Sequence, residues 1–397
     1  MNTFSKVMLN PGKDDAVRRF HPWIFSGAIN KIHGEVADGD VVEVYSSHDE
    51  YLCTGHIQNG SIAIRIFSFE KIVPDRIFWK SKILDAYNYR KQLGLVDNRD
   101  TNVYRLVHGE GDNLPGLIID YYNGCIVMQA HSIGMHLIRE EITEVLKEIY
   151  DGKLISVYDK SLETLPKESE LDIKDGYLFG NSGTAEVLEN GHKFFVDWET
   201  GQKTGFFIDQ RENRKLLEKF SLNKNVLNTF SYSGGFSVYA LKSGASEVHS
   251  VDSSKKAIEL TTDNVNLNLN NIESGKHMAF QSDVNEFLKD IEKKYDVIIL
   301  DPPAYAKHQD ARRNAIQGYK RLNLQAIKQI KKGGFLFTFS CSQVIDKNLF
   351  KSTVISAAIL SGRKVKILHQ LSQPADHPVN AYHPEGEYLK GLVLYIE

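Results

Sequence analysis

The sequence predicts an α/β protein in which a doubly wound, mostly parallel sheet fills the second half, behind a small β-barrel-like domain and an α+β middle domain. Three observations predict it. From about residue 190 strands and helices alternate, as they do where parallel strands need crossover helices. The first 72 residues read as short strands divided by turn clusters, the pattern of a small barrel or curled sheet. The length, 397 residues, is that of two or three domains. The expected boundaries are 1–72, 73–189 and 190–397.

Composition narrows the class. Hydrophobic residues at 42% and charged residues at 25% suit a globular protein, and 10 prolines are too few for a collagen-like or low-complexity chain. The longest aliphatic run, Val297 to Leu300, is far too short to span a bilayer. Residues 1–25 hold no apolar block ahead of a small-residue cleavage site, so no secretory leader is expected. Cys53, Cys125 and Cys341 are too few for a disulfide framework and stand at no metal-ligand spacing. These features together lead us to expect a cytoplasmic, metal-free enzyme that uses no membrane. The net charge of −3 lacks the basic footprint of a nucleic-acid binder. It is uneven, however: −2 over residues 1–72, −5 over 73–185 and +4 over 186–397, which leaves the last half open to a polyanionic partner.

In chain order, strands are expected at Val41–Tyr45, Leu52–Ile57 and Ser61–Phe67, with turns at Ser46–Asp49 and Asn59–Gly60. Helical spacing of apolar residues follows at Phe78–Leu93. The middle domain offers a glycine-rich turn (Gly109, Gly111, Gly116), strands at Leu117–Asp120 and Cys125–Gln129, and a helix at Ile138–Ile149. Further strands are expected near Leu154–Tyr158 and Ala185–Glu189. In the last domain seven strands are expected: Asn225–Asn228, Glu247–Val251, Ala279–Gln281, Tyr295–Leu300, Gly334–Phe339, Lys364–Leu371 and Gly391–Ile396. Helices are expected between them at Phe236–Ser243, Lys255–Asn268, Val284–Lys293 and Tyr319–Gln329.

Sites in such sheets lie at the carboxyl ends of the strands, near the topological switch point. The first strand runs into Phe230, Ser231, Tyr232, Ser233, Gly234 and Gly235, where two glycines would let a ligand approach the backbone. The second ends in Asp252, placed to accept ribose hydroxyls, and the third in Asp283, a partner for an adenine amino group. The G-x-G-x-x-G dinucleotide fingerprint is not met, since Val238 stands where its third glycine would be. S-adenosylmethionine (SAM), which has ribose and adenine but no phosphate, suits the loop better. The fourth strand ends in Asp301-Pro302-Pro303-Ala304-Tyr305, a rigid mount for a carboxylate that can meet a base edge, with Tyr305 available to stack. The fifth ends in Ser340-Cys341-Ser342. A thiol of ordinary pKa about 8.5 is only about 3% thiolate at pH 7, so Cys341 needs a cationic or hydrogen-bonding neighbour. Lys307, His308 and Lys320 are the candidates. The basic stretch that includes Lys307, Arg312, Arg313 and Lys320 reads either as a solvated face or as a loop that meets phosphates.

Taken together, these motifs resemble the bacterial PUA-domain-containing 23S rRNA cytosine-C5 methyltransferases, members of the class I SAM-dependent superfamily. Arg19–Ala28 (RFHPWIFSGA) resembles the family's entry into its RNA-binding PUA domain, and Gly109–Asp120 its middle domain. Lys203–Arg211 (KTGFFIDQR), Phe230–Phe236, Asp301-Pro302-Pro303, Phe339–Ser342, Ala375–Pro378 and Tyr388–Gly391 follow in the family's order. The resemblance implies a seven-stranded mixed sheet, SAM as cofactor and 23S rRNA as partner, with a homodimer allowed. It adds Gln210, Arg211 and Asp301 to the cofactor residues. It also implies that Cys341 adds to C6 of cytosine while Asp301 holds the pyrimidine edge and stabilises the adduct. Where many other RNA cytosine-C5 enzymes carry a second cysteine, Pro303-Ala304 stands here, so the base that removes the C5 proton is unassigned. The alternatives left open are an rRNA N-methyltransferase without a covalent adduct, an NAD(P)-dependent oxidoreductase and a non-catalytic RNA-binding assembly factor.

Overall fold

In the computed structural model, residues 4–166, 172–268, 276–306 and 308–397 are described. The chain divides into two compact units. The first comprises Met1–Ala185, Val196–Phe206 and Ala375–Gly386; the second comprises Glu186–Phe195, Phe207–Pro374 and Glu387–Glu397.

Among the described residues, the first unit holds a six-stranded and a five-stranded sheet. The six-stranded sheet follows the order Trp23–Phe25, Ile62–Ser68, Tyr51–Ile57, Val41–Tyr45, Ser5–Leu9, Ile29–His33. Its core buries Val7, Leu9, Val42, Val44, Cys53, Ile64 and Ile66. The other is five-stranded, in the order Gly176–Phe179, Ser156–Asp159, Cys125–Ala130, Leu117–Tyr122, Val103–His108. Helices Arg76–Gln92 and Arg139–Tyr150 contribute Trp79, Ile83, Ile142, Val145 and Leu146 to its core. Two sequence motifs far apart in the chain meet here. The Arg90 guanidinium donates to Asp112 and to the Asp376 carbonyl oxygen at 2.7 Å, and the Arg105 amide donates to the Asp376 carboxylate at 3.0 Å. A Cβ on Gly111 would lie 2.0 Å from the Pro378 carbonyl oxygen, so only glycine fits beside that segment.

In the second unit, α1 (Arg211–Ser221) precedes β1 (Asn225–Thr229), followed by α2 (Gly235–Lys242), β2 (Glu247–Asp252), α3 (Lys255–Asn268), β3 (His277–Gln281) and β4 (Val297–Leu300). Then come α4 (Arg312–Gln329), β5 (Gly334–Ser340), α5 (Lys347–Ser361), β6 (Val365–Ser372) and β7 (Lys390–Ile396). The seven strands form one sheet in the order β3-β2-β1-β4-β5-β7-β6, in which only β7 runs against the others. Every residue of β4 is buried, as a central strand covered on both faces requires, whereas β6 forms an exposed edge. The chain moves outward from β1 to β3 and returns to β4 on the other side of β1. The switch point therefore falls between β1 and β4, and the loops after these two strands flank it.

All seven strands expected from the sequence form, and the fold class is the one expected. The helices depart from expectation in four places. Neither α1 nor α5 is among the helices expected from the sequence. α5 carries Thr353-Val354-Ile355, a β-branched run that imitates a strand, but Asp346 caps its start and Gly362, at φ +71°, ends it. The helix expected over Val284–Lys293 stops after Val284–Phe287 and one 3-10 turn, because Glu292 and Lys293 take positive φ and turn the chain. α4 begins at Arg312 rather than Tyr319, so Arg312 and Arg313 lie on a helix, not on a basic loop. Among the described residues, no helix is long and apolar enough to cross a membrane.

Candidate active site

The loop after β1 is held in an unusual conformation. Phe230, Tyr232 and Gly234 take φ of +55°, +46° and +72°, and left-handed geometry at two non-glycine residues stores strain that the surroundings must hold. Asp252, at the end of β2, supplies part of that hold. One carboxylate oxygen accepts the Tyr232 amide at 3.1 Å, and the other accepts the Ser254 amide at 2.9 Å. Ser231 is buried beside Thr261, with their hydroxyls 3.2 Å apart. Phe207 packs edge-on against Tyr232, with ring centroids 5.1 Å apart.

Packing also requires glycine at both positions, Gly234 and Gly235. A Cβ on Gly234 would come within 2.8 Å of the Thr261 methyl, and one on Gly235 within 2.9 Å of Arg214 Cδ. Arg214 is itself fixed. It makes a two-pronged ion pair with Glu189, both bonds 2.7 Å, and donates to the Phe207 carbonyl oxygen at 3.0 Å. Nothing in the local sequence announced that buried pair.

Asp283 is exposed at the end of β3 and caps the short helix that follows, accepting the Glu286 amide at 3.0 Å. Asp301 directly follows β4. The buried Gln210 donates to its carboxylate at 3.0 Å, while the Gln210 carbonyl accepts from Asn213 at 2.6 Å. A two-step chain from α1 thus orients Asp301. Arg211, also buried, opens α1 with its Nε 3.2 Å from Glu212. Tyr305, which the sequence offered for stacking, lies instead against α4. Its ring is 4.7 Å from that of Tyr319, and a Cβ on Gly318 would strike it at 2.9 Å. Burial pushes the Tyr305 phenol up to about 12.

Cys341 follows the last residue of β5 and is partly exposed, whereas Cys53 and Cys125 are buried. β4 and β5 pair in parallel, with Leu300 opposite Thr338, so Asp301 and Cys341 leave the same edge of adjacent strands. Burial pushes the Cys53 thiol far up, which keeps it protonated and inert. Around Cys341, Ser340 and Ser342 are buried, the Ser342 and Tyr319 hydroxyls are 3.1 Å apart, and Lys390 Nζ donates to the Ser342 carbonyl oxygen at 2.6 Å. Lys390 was not among the neighbours considered from sequence. It lies within the Tyr388–Gly391 motif, but local spacing cannot foresee which strand β7 joins.

Of the expected basic contacts, Lys307 lies outside the described residues. Arg312 and Arg313 are exposed in the first turn of α4, Arg312 standing 3.8 Å from Asp346, and Lys320 is half-buried two turns on. In the first unit, the fold also gathers His21, His383 and Glu385, their ligand atoms within 4.8 Å of one another, which no local spacing signals.

Comparison with known proteins assigns this arrangement. Residues 7–69 match a PUA-like domain, and residues 171–380 match the S-adenosylmethionine-dependent methyltransferase family. Proteins named ribosomal RNA large subunit methyltransferase I align along nearly the whole chain. The one from Pseudoalteromonas translucida is 40% identical over 400 residues, covering 99% of both chains. The one from Aeromonas salmonicida is 38% identical, covering 98% of both, and the one from Escherichia coli is 36% identical, covering 98% of this chain and 99% of that one. The chain belongs to the ribosomal RNA large subunit methyltransferase I family. Its cofactor is SAM, which sets aside the oxidoreductase reading. The same fold occurs in a solved structure described as a SAM-dependent methyltransferase from Streptococcus mutans, at 24% identity and a TM-score of 0.82, covering 98% of this chain and 99% of that one.

Proposed function

We propose that this member of the large subunit methyltransferase I family transfers a methyl group from SAM to C5 of a cytosine in 23S rRNA, through a covalent adduct of Cys341 with C6. The observation that carries the reading is the placement of Cys341. It is the partly exposed one of three cysteines, and it leaves the same sheet edge as Asp301, whose carboxylate Gln210 orients. Relatives named for ribosomal RNA methylation and a PUA-like domain support RNA as the substrate, and the reading places the enzyme in the cytoplasm.

The residues support the following sequence. The loop from Phe230 to Gly235, with Asp252, Asp283, Gln210 and Arg211, holds SAM. Asp301 receives the N3/N4 edge of the flipped base. The Cys341 thiolate bonds to C6 and pushes electron density to C5, which takes the methyl group as the sulfonium carbon–sulfur bond breaks. A base then removes the C5 proton, and the carbon–sulfur bond to Cys341 breaks to restore the ring. Arg312, Arg313 and Lys320 on α4, with Lys307, contact phosphates outside the pocket. The division into a PUA domain over 1–72, a middle domain over 73–189 and a methyltransferase domain over 190–397 assigns RNA affinity to the first and chemistry to the last.

Mass analysis of 23S rRNA nucleosides from strains with and without the gene tests the product. The expected result is loss of one 5-methylcytosine. Loss of an N-methylated base instead would overturn the carbon-methylation reading.

A further inference from the structure

The edge that presents Cys341 also holds a buried cation on a neighbouring strand. Lys390 is the first residue of β7 and pairs with Ser340, the last residue of β5. It is 3% exposed, and its ammonium reaches the carbonyl oxygen of Ser342. The Lys390 side chain therefore runs past the backbone of Cys341, from the residue before it to the residue after it. Gly391 permits this approach, since a Cβ there would lie 2.5 Å from the Phe339 ring.

A buried ammonium needs an anion, because one carbonyl dipole does not offset a full charge taken out of water. The groups acting on Lys390 are Cys341, Glu387, Asp346 and Lys347, with Cys341 the strongest of those that favour its charged form. The two carboxylates have other partners. Glu387 pairs with Lys347, while Asp346 caps α5 through the Leu349 amide at 2.8 Å and faces Arg312. From α4, Tyr319 presents a hydroxyl that burial keeps neutral, so it does not compete as an anion. Burial pushes the Lys390 amine down to about 8, so it can take up and release a proton not far from neutral pH.

We propose that Lys390 is the positioning residue that holds Cys341 as a thiolate, the proton leaving Sγ being carried on Nζ until the sulfur departs from the base. The inference rests on Cys341 being the nucleophile. The sulfur–C6 bond forms from the thiolate pair, so no proton need leave at that step, and no oxidant or reductant enters.

The test is the rate at which iodoacetamide alkylates Cys341 of the full-length protein as a function of pH, followed by peptide mass spectrometry. Wild type is expected to show a midpoint below the ordinary thiol value of about 8.5. Lys390→Met should raise the midpoint by about one unit and slow alkylation at pH 7 roughly tenfold, while Lys390→Arg should keep it low. Lys390→Gln serves as a second uncharged variant should the methionine form not fold. An unchanged midpoint in a folded uncharged variant overturns the proposal. Because alkylation uses no RNA, its outcome separates from that of the parent reading. A shifted midpoint in an enzyme that forms no adduct with RNA would overturn only the nucleophilic role of Cys341.

Discussion

At the residue scale, three aspartates at three strand ends differ in what their oxygens already hold. Asp252 accepts two backbone amides and so shapes the loop that we propose meets the cofactor. Asp283 is a helix cap, and Asp301 is oriented by Gln210. Their positions were legible in the sequence because the strand ends were. Their partners were not, since Gln210 and Asp301 lie far apart in the chain. Asp252→Ala should weaken SAM binding by about 1.5–3 kcal/mol, the scale of a lost charge-assisted hydrogen bond. Asp252→Asn, which keeps an acceptor for the Tyr232 amide, should lose less. Calorimetric titration with SAM checks both, and unchanged affinity in a folded Asp252→Ala protein would remove this residue from the site.

At the element scale, the central strands were legible because a parallel sheet covered on both faces demands continuous apolar runs such as Val297–Leu300. Helices α1 and α5 were not. α1 is mostly charged, and the β-branched run in α5 imitates a strand. The reversed pairing of β7 with β5 was equally hidden, although it brings Lys390 to Cys341. Gly391 is the residue on which that pairing turns. Gly391→Ala forces its new methyl group against the Phe339 ring and should cost about 1–3 kcal/mol of stability, the usual scale of overpacking. Urea unfolding measures the cost. A neutral result would mean that β5 and β7 can separate without penalty.

At the scale of the whole molecule, the order of motifs was legible, but the reason for some of them was not. The Asp376-His377-Pro378 segment is explained only by the fold, which seats it on Arg90, Arg105 and Gly111 of the first unit. Buried histidines there give the protein a pH dependence. His56 packs against Trp79, and burial holds its pKa at about 3; burial also holds His108 well below its ordinary value. The unfolded chain takes up these protons near pH 6.5 and the folded chain does not, so stability falls as pH drops below 6.5. Asp159, raised to about 6 by burial, works the other way, but over a narrower window. His131 and His277, both held at about 4 by burial, add to the loss, and the net expectation is roughly 2–5 kcal/mol between pH 7.5 and 5.5, read by urea unfolding at the two values. Equal stability, or a gain at pH 5.5, would contradict it.

The central claim is that Cys341 forms a bond to the base, and trapping that bond tests it most directly. With SAM and 23S rRNA carrying 5-fluorocytidine, wild type should form an adduct that survives a denaturing gel, because fluorine at C5 cannot leave as a cation. Cys341→Ala should bind SAM normally and form none. No adduct with wild type, or an equal adduct with Cys341→Ala, would contradict the account.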